Sequence, residues 1–380
     1  MTEVAIARCG EYSMEACRSA LEEVLEPFGS LGWVKEGMKI VIKANLVDAA
    51  KPEKAATTHP TLLAALTKML MEKGASVVVG DSPGGFYNAA ALRHIYSVTG
   101  MEEVKAAGAK LNENFGQRSV SYEGAHVAKS FTYTSYLDEA DAIISFCKLK
   151  SHGMMSMTAA TKNLFGVIPG TMKPEYHFRY HDPLDFAGMI VDLNGYFKPR
   201  LFLVDAIIGM EGNGPTAGTP RKIGAVLAAE NCHKLDLICA KIIGVEPMTV
   251  PTLRAAANFG LCPESAEEVE VRGEVFTVPD FKRVEQNKSL QFESLLPGKL
   301  GKVFGAVAKK ALRASPKLKK DECVGCGMCA RLCPAKAITM VDKKAKIDKK
   351  KCIRCFCCQE FCPKGAMKVS RPWIARILNK

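Results

Sequence analysis

The strongest constraint on this chain lies in residues 323–362, where two runs of four cysteines share one spacing. CVGCGMCARLCP places Cys323, Cys326, Cys329 and Cys333 at C-x2-C-x2-C-x3-C, with Pro334 next. CIRCFCCQEFCP repeats the spacing with Cys352, Cys355, Cys358 and Cys362, then Pro363. A four-iron cluster needs four thiolates on a cuboid only a few ångströms across. One tight loop supplies three, and in this paired arrangement the fourth comes from the other run. The expected ligand sets are therefore crossed: Cys323, Cys326, Cys329 and Cys362 for a first 4Fe-4S cluster, and Cys352, Cys355, Cys358 and Cys333 for a second.

Tetrahedral zinc would need only two C-x2-C pairs. A disulfide framework belongs to secreted chains, and MTEVAIARCG opens without the basic and apolar regions of a signal peptide. The halves also repeat beyond the cysteines: AITM (337–340) and AMKV (366–369) follow the two runs and read as strands of a pseudo-twofold unit. Cys357 falls outside the spacing and reads as a spare thiol. The arrangement is that of bacterial two-cluster ferredoxins, which pass one electron at a time at a potential set by sulfur hydrogen bonds, burial and charge. Such oxygen-labile clusters suit a reducing cytoplasm.

Charge is unevenly placed. Residues 301–380 hold 21 Lys and Arg against 5 Asp and Glu, a net of +16 within a chain of +12, which leaves about −4 on the first 300 residues. A basic shell offsets the anionic clusters and would steer an acidic redox partner. The lysines interleave with cluster loops rather than with stacking aromatics, which disfavours nucleic acid. No apolar run reaches membrane-spanning length. The organisation expected is an α/β region over 1–294, as one domain or two subdomains, a basic amphipathic linker over 295–317, a small α+β ferredoxin-like unit with two clusters over 318–370 and a tail over 371–380. Linker and tail each carry an apolar stripe beside lysines, suited to packing between domains or to weak peripheral membrane contact.

The first 300 residues alternate strand and helix. VAIARC (4–9), MKIVIKANLV (38–47), ASVVVGD (75–81), DAIISFCKLK (141–150) and RLFLVDAIIG (200–209) read as buried strands, and 13–28 and 59–74 as helices capped by Ser13 and opened by Pro60. This pattern indicates an α/β fold with a mostly parallel sheet. Ligands of such sheets bind beyond the carboxyl ends of the strands, so those ends hold the candidates. Lys43 and Asn45 follow one strand. Asp81, Ser82 and Gly84 follow the next and could hold an anion at a glycine-rich turn. After 141–150 come His152, Thr158, Lys162 and Asn163, the last three on a helix with Thr158 and Lys162 on one face. His177 follows, close to His181, and this histidine group suits substrate contact or a metal. Glu211 and Asn213 follow the strand at 200–209. Cys147, Cys232 and Cys239 lie in apolar settings and read as inert buried thiols.

IKANLV, THPTLLAAL, VGDSPGG, KLKSHGMMSMTAATKNLFGVIPG and VDAIIGMEGNGPTAGTPRKIG together resemble the bacterial and archaeal domain-of-unknown-function family 362. Its members often carry a C-terminal pair of ferredoxin motifs, including the form with the extra cysteine. The resemblance implies an iron–sulfur protein. The stretch from His152 through Lys162 to Pro169 and Gly170 is also similar to a segment of the nickel-pincer lactate racemase fold; Ala159 and Ala160 stand where glycines are expected, so it implies the fold and not the activity. The expected function is electron transfer through two 4Fe-4S clusters. Three versions follow: an oxidoreductase acting on a small anionic or carbonyl substrate, with Lys162, His152 and His177 as catalytic candidates; a carrier whose large domain docks a partner enzyme; and a racemase-like enzyme with structural clusters.

Overall fold

The computed structural model describes residues 2–283 and 314–370, which belong to two units divided after Arg283. The first unit is built on strands β1 (Val4–Arg8), β2 (Lys39–Lys43), β3 (Ser76–Gly80), β4 (Lys110–Leu111), β5 (Gln117–Ser121), β6 (Ser130–Thr134), β7 (Ala142–His152), β8 (Ser156–Thr158), β9 (Leu201–Glu211), β10 (Thr219–Ala229) and β11 (Val271–Arg272). Nine of them form one sheet in the order β11-β1-β10-β9-β7-β2-β3-β4, with β8 folded back on β7. Strands β4, β3, β2, β7 and β9 run parallel; β10 is antiparallel to both β9 and β1. The sheet is thus mixed and mostly parallel. The hairpin β5–β6 stands apart from it.

The helices are α1 (Met14–Leu25), α2 (Pro60–Met71), α3 (Ala89–Val98), α4 (Met101–Ala106), α5 (Ala160–Asn163), α6 (Lys173–Arg179), α7 (Pro183–Phe197), α8 (Cys232–Ile242) and α9 (Pro251–Asn258). Their starts are chemically marked. Ser13 caps α1 by accepting from Ala16 N, Pro60 occupies the first turn of α2, and Asp182 caps α7 by accepting from Leu184 N. Helices α1 and α2 pack on one face of the sheet around Leu21, Val24, Leu62 and Leu66 with Ile40, Ile42 and Phe146. The central strands read as continuous apolar runs because helices cover both faces.

Two local expectations change. Thr158 and Lys162 do not share a helix face. Thr158 ends β8, Lys162 lies in α5, and Ala159 breaks the path between them with φ −146° and ψ −129°. His152 is the buried last residue of β7, not a loop residue, because β7 continues past Lys150 to pair with β8.

The second unit contains β12 (Ser315–Leu318), α10 (Met328–Arg331), β13 (Ile338–Val341), β14 (Lys344–Ile347), α11 (Cys357–Glu360) and β15 (Met367–Ser370). Strand β12 pairs with β15 and β13 with β14, both antiparallel. The offset that carries Cys323 onto Cys352 also carries β12 onto β14 and β13 onto β15, so the pseudo-twofold repeat is complete. Residues 315–317, placed by sequence in the linker, belong to β12, whose pairing with β15 closes the unit. The remainder of the linker and the tail 371–380 lie outside the described residues. Among those described, no helix is long and apolar enough to cross a membrane.

Candidate cluster and strand-end sites

In the second unit, Cys323, Cys326, Cys329 and Cys362 line one small cavity, partly open to solvent, with Leu318, Met340 and Met367. Cys323 and Cys326 come from the loop before α10, Cys329 from α10 itself and Cys362 from the second run. Cys358 has Cys355, Cys352, Cys329 and Cys333 around it, members of both expected sets. Backbone amides point at sulfur symmetrically: Ala337 N donates to Cys333 Sγ and Ala366 N to Cys362 Sγ, each at 3.2 Å. Among the described residues no three His, Cys, Asp or Glu side chains converge tightly enough for a single metal ion; the four thiols of the first set surround a space instead. A cuboidal cluster, with sulfur ligands at its corners, fits that geometry. Cys357 is buried beside Cys355 and occupies the place that Met328 has in the first half.

The two loops reach the same shape differently. In the first, Gly325 and Gly327 take φ 74° and 72°; in the second, Arg354 and Phe356 occupy the equivalent left-handed positions at 62° and 61°.

In the first unit the carboxyl ends of β2, β3, β7 and β9 hold a lattice of buried charges. Lys43 Nζ lies 2.7 Å from Asp81 Oδ1, with both side chains sealed from solvent, and 3.0 Å from Asn163 Oδ1. Asp81 also accepts from Leu46 N and Ser82 N. Asn163 reaches back to Lys43 O and Ser145 Oγ. Gly166 is required here: a β-carbon would collide with Lys43 Nζ and Asp81 Oδ1. Burial pushes the Lys43 ammonium below its usual range, against the pull of Asp81.

Asn45 ties this pair to a second lysine. Its Oδ1 accepts from Lys150 Nζ at 2.8 Å, and Ala56 O accepts at 2.7 Å. Lys150 is buried on neutral acceptors, with the Lys162 charge nearby; burial first and Lys162 second pull its pKa down to about 7. A third lysine, Lys148, ion-pairs with Asp205 and donates to Tyr12 Oη at 2.8 Å. Tyr12 stacks on His59 with ring centroids 3.6 Å apart. Burial lowers the His59 pKa to about 4.

The structure therefore brings Lys43, Asn45, Asp81 and Asn163 together and commits them to one another. Ser82 lies in the same turn, its hydroxyl buried without a hydrogen-bond partner, and Gly84 is half-buried beyond it. Lys162 is half-buried over the Phe165 ring, which His177 meets edge-on while stacking on Phe186. His152 accepts from Met154 N and Met155 N and shapes the β7–β8 turn. Glu211 does not open to a ligand-binding loop: it accepts from Lys282 N, and Gly212 N donates to Lys282 O, so the carboxylate anchors the end of the unit. Asn213 follows in the same half-buried loop.

Sequence reading missed Lys148, Lys150, Tyr12 and His59. The signal was present for the lysines, since K-L-K inside an apolar strand places two ammonium groups in a buried sheet, where they need dedicated partners. The expected buried thiols Cys147, Cys232 and Cys239 are buried.

An α/β unit with a mixed, mostly parallel sheet joined to a two-loop cysteine unit defines an iron–sulfur protein with a large accessory domain. Residues 40–241 match the domain of unknown function DUF362, and residues 315–363 match a 4Fe-4S dicluster domain. The chain belongs to the DUF362 family and carries a 4Fe-4S ferredoxin-like domain. It is 32% identical over 271 residues, 70% of this chain and 81% of the relative, to the thylakoid-associated protein sll1697 of Synechocystis sp.. Among solved structures, the lactate racemase apoprotein of Thermoanaerobacterium thermosaccharolyticum aligns at TM-score 0.40 and 11% identity, over 62% of this chain and 56% of that one. A Thermotoga maritima protein aligns at TM-score 0.36 and 12% identity, over 57% and 55%. The chain spans little more than half the length of either.

Proposed function

We propose that this protein moves single electrons through two 4Fe-4S clusters held by the crossed sets Cys323, Cys326, Cys329, Cys362 and Cys352, Cys355, Cys358, Cys333. The observation that carries the reading is the cavity ringed by three cysteines of one run and the last cysteine of the other. The chemistry supplied by such clusters is one-electron transfer. The chain's own residues hold the sulfurs in place, direct amides at them and supply a basic surface that suits an acidic redox partner.

The first unit would act as an oxidoreductase module for a small anionic or carbonyl compound at the strand ends. The arrangement supporting this is Lys150 beside Lys162 with Asn45 at the carboxyl ends of β2 and β7, where an amine of lowered basicity stands next to a cation. Lys162, His152 and His177 are the candidates for orienting the substrate and moving protons. Residence in a reducing cytoplasm follows from the cluster chemistry, and the name of the Synechocystis relative together with the basic segments 295–317 and 371–380 favours peripheral membrane contact.

The test is anaerobic purification with iron and acid-labile sulfide analysis, followed by dithionite reduction monitored by electron paramagnetic resonance. About eight iron and eight sulfide per chain are expected; zinc without sulfide would end the reading. Lys162→Ala and His152→Ala would then be compared for turnover with cluster absorbance intact. Unchanged electron transfer to every partner in both variants would favour a carrier over an oxidoreductase.

A further inference from the structure

We propose that Lys344 raises the reduction potential of the cluster bound by Cys323, Cys326, Cys329 and Cys362 and makes it the electron-accepting member of the pair, an inference that rests on the two-cluster reading above. Lys344 Nζ donates to Cys323 O at 2.7 Å and to Lys320 O at 2.9 Å. The side chain is half-buried, and no described carboxylate pairs with it. Its charge is thus fixed on the backbone of a ligand loop by neutral acceptors and is not cancelled locally. Reduction adds negative charge to the cluster. A cation fixed on the ligand loop stabilises that state, and partial burial limits its screening by water and salt.

The internal repeat makes this a comparison within one molecule. The offset that carries Cys323 onto Cys352 carries Ser315 onto Lys344. The second loop therefore has an uncharged residue, paired across the strands with Ser370, where the first has an ammonium. The other charges near the two loops are exposed to solvent or face a charge of opposite sign. Arg354 stands in the second loop where the first has Gly325, but Glu360, also half-buried, acts on Cys355 with the opposite sign. Arg331, the counterpart of Glu360, is exposed. Asp321 and Glu322 before the first loop stand where the second has Lys350 and Lys351; all four are exposed and screened by solvent, and Glu322 is shared by Lys319 and Lys368 at 3.2 Å each. Lys344 remains as a partly buried charge held on a ligand loop by neutral acceptors alone.

The test is a potentiometric titration of the full chain, followed by electron paramagnetic resonance, for the wild type, Lys344→Gln and Lys344→Arg. Iron and sulfide are counted first, so that a chain with fewer than two clusters sinks the underlying reading separately. Two distinct potentials are expected in the wild type. Lys344→Gln, which keeps donors but loses the charge, lowers the higher potential by about 59 mV, a tenfold change in a one-electron equilibrium, and leaves the lower one in place; Lys344→Arg restores it. No shift in the glutamine variant, an equal shift at both clusters, or a shift only at the lower one overturns the proposal. So does loss of the cluster in the glutamine variant alone, which would make the lysine a purely structural tie.

Discussion

Lys148 and Asp205 are register partners on the neighbouring parallel strands β7 and β9, and their side chains close to 2.6 Å with almost no exposed surface. Tyr12 donates to the same carboxylate and His59 N caps it from the start of α2. The pair thus ties β7, β9, the residues before α1 and the entry to α2 at one point. Burying two charges carries a desolvation cost that their attraction only partly returns, so the pair's value lies in what happens when half of it is lost.

Removing one partner leaves an uncompensated buried charge. Asp205→Asn or Lys148→Met is expected to destabilise the first unit by about 3–5 kcal/mol, and the double variant by clearly less than the sum of the two. Denaturant unfolding followed by circular dichroism, run as a double-mutant cycle, measures this. Additive losses would show that the two groups do not act as a pair.

Gly166 offers a test of the other ion pair. Its missing side chain is the space into which Lys43 and Asp81 close. Gly166→Ala is expected to cost about 1–3 kcal/mol through overpacking. Lys43→Met in the same background should lessen that cost by removing Nζ, one of the atoms struck, and a midpoint equal to wild type for Gly166→Ala alone would contradict the packing.

Lys150 gives a pH dependence of definite sign. Its pKa is about 7 in the folded chain, against about 10.4 for an unperturbed lysine. Between these values the unfolded chain binds more protons, so stability rises as pH increases from about 7 to 10. Below about 7 both states are charged and the penalty of burying the ammonium is present in full. Lys150→Met is expected to flatten the unfolding midpoint across that window relative to wild type. Parallel profiles for the two proteins would show that Lys150 keeps an ordinary pKa.

The crossing of the cysteine sets is separable by single substitutions. Cys362→Ser is expected to remove the cluster of the first loop and Cys333→Ser that of the second, each leaving about four iron atoms per chain. Spectra in which Cys362→Ser instead damages only the cluster of Cys352, Cys355 and Cys358 would mean uncrossed ligation.

The cysteine loops and the parallel core were legible because each is written in local spacing. Three ligands of one cluster fall within seven residues, and Ile40 to Ile42 or Val77 to Val79 are apolar without interruption because helices cover both faces. Ser13 and Pro60 mark helix starts for equally local reasons. The hairpin β5–β6 was not legible, since QRSVS is largely exposed and has no apolar alternation. Lys43, Asn45, Asp81 and Asn163 could be named from their places after strands, but not their mutual engagement.

By itself the amino-acid order determined that eight thiols come in two equal loops and that buried strands alternate with helices, because cluster ligation and strand burial act over a few neighbouring residues. Only the tertiary structure decided that Tyr12 meets Asp205, that Lys150 rests on Asn45 and that Lys344 reaches Cys323. Those partners lie far apart along the chain, and which charge meets which depends on strand order and register, neither of which is encoded in any short stretch.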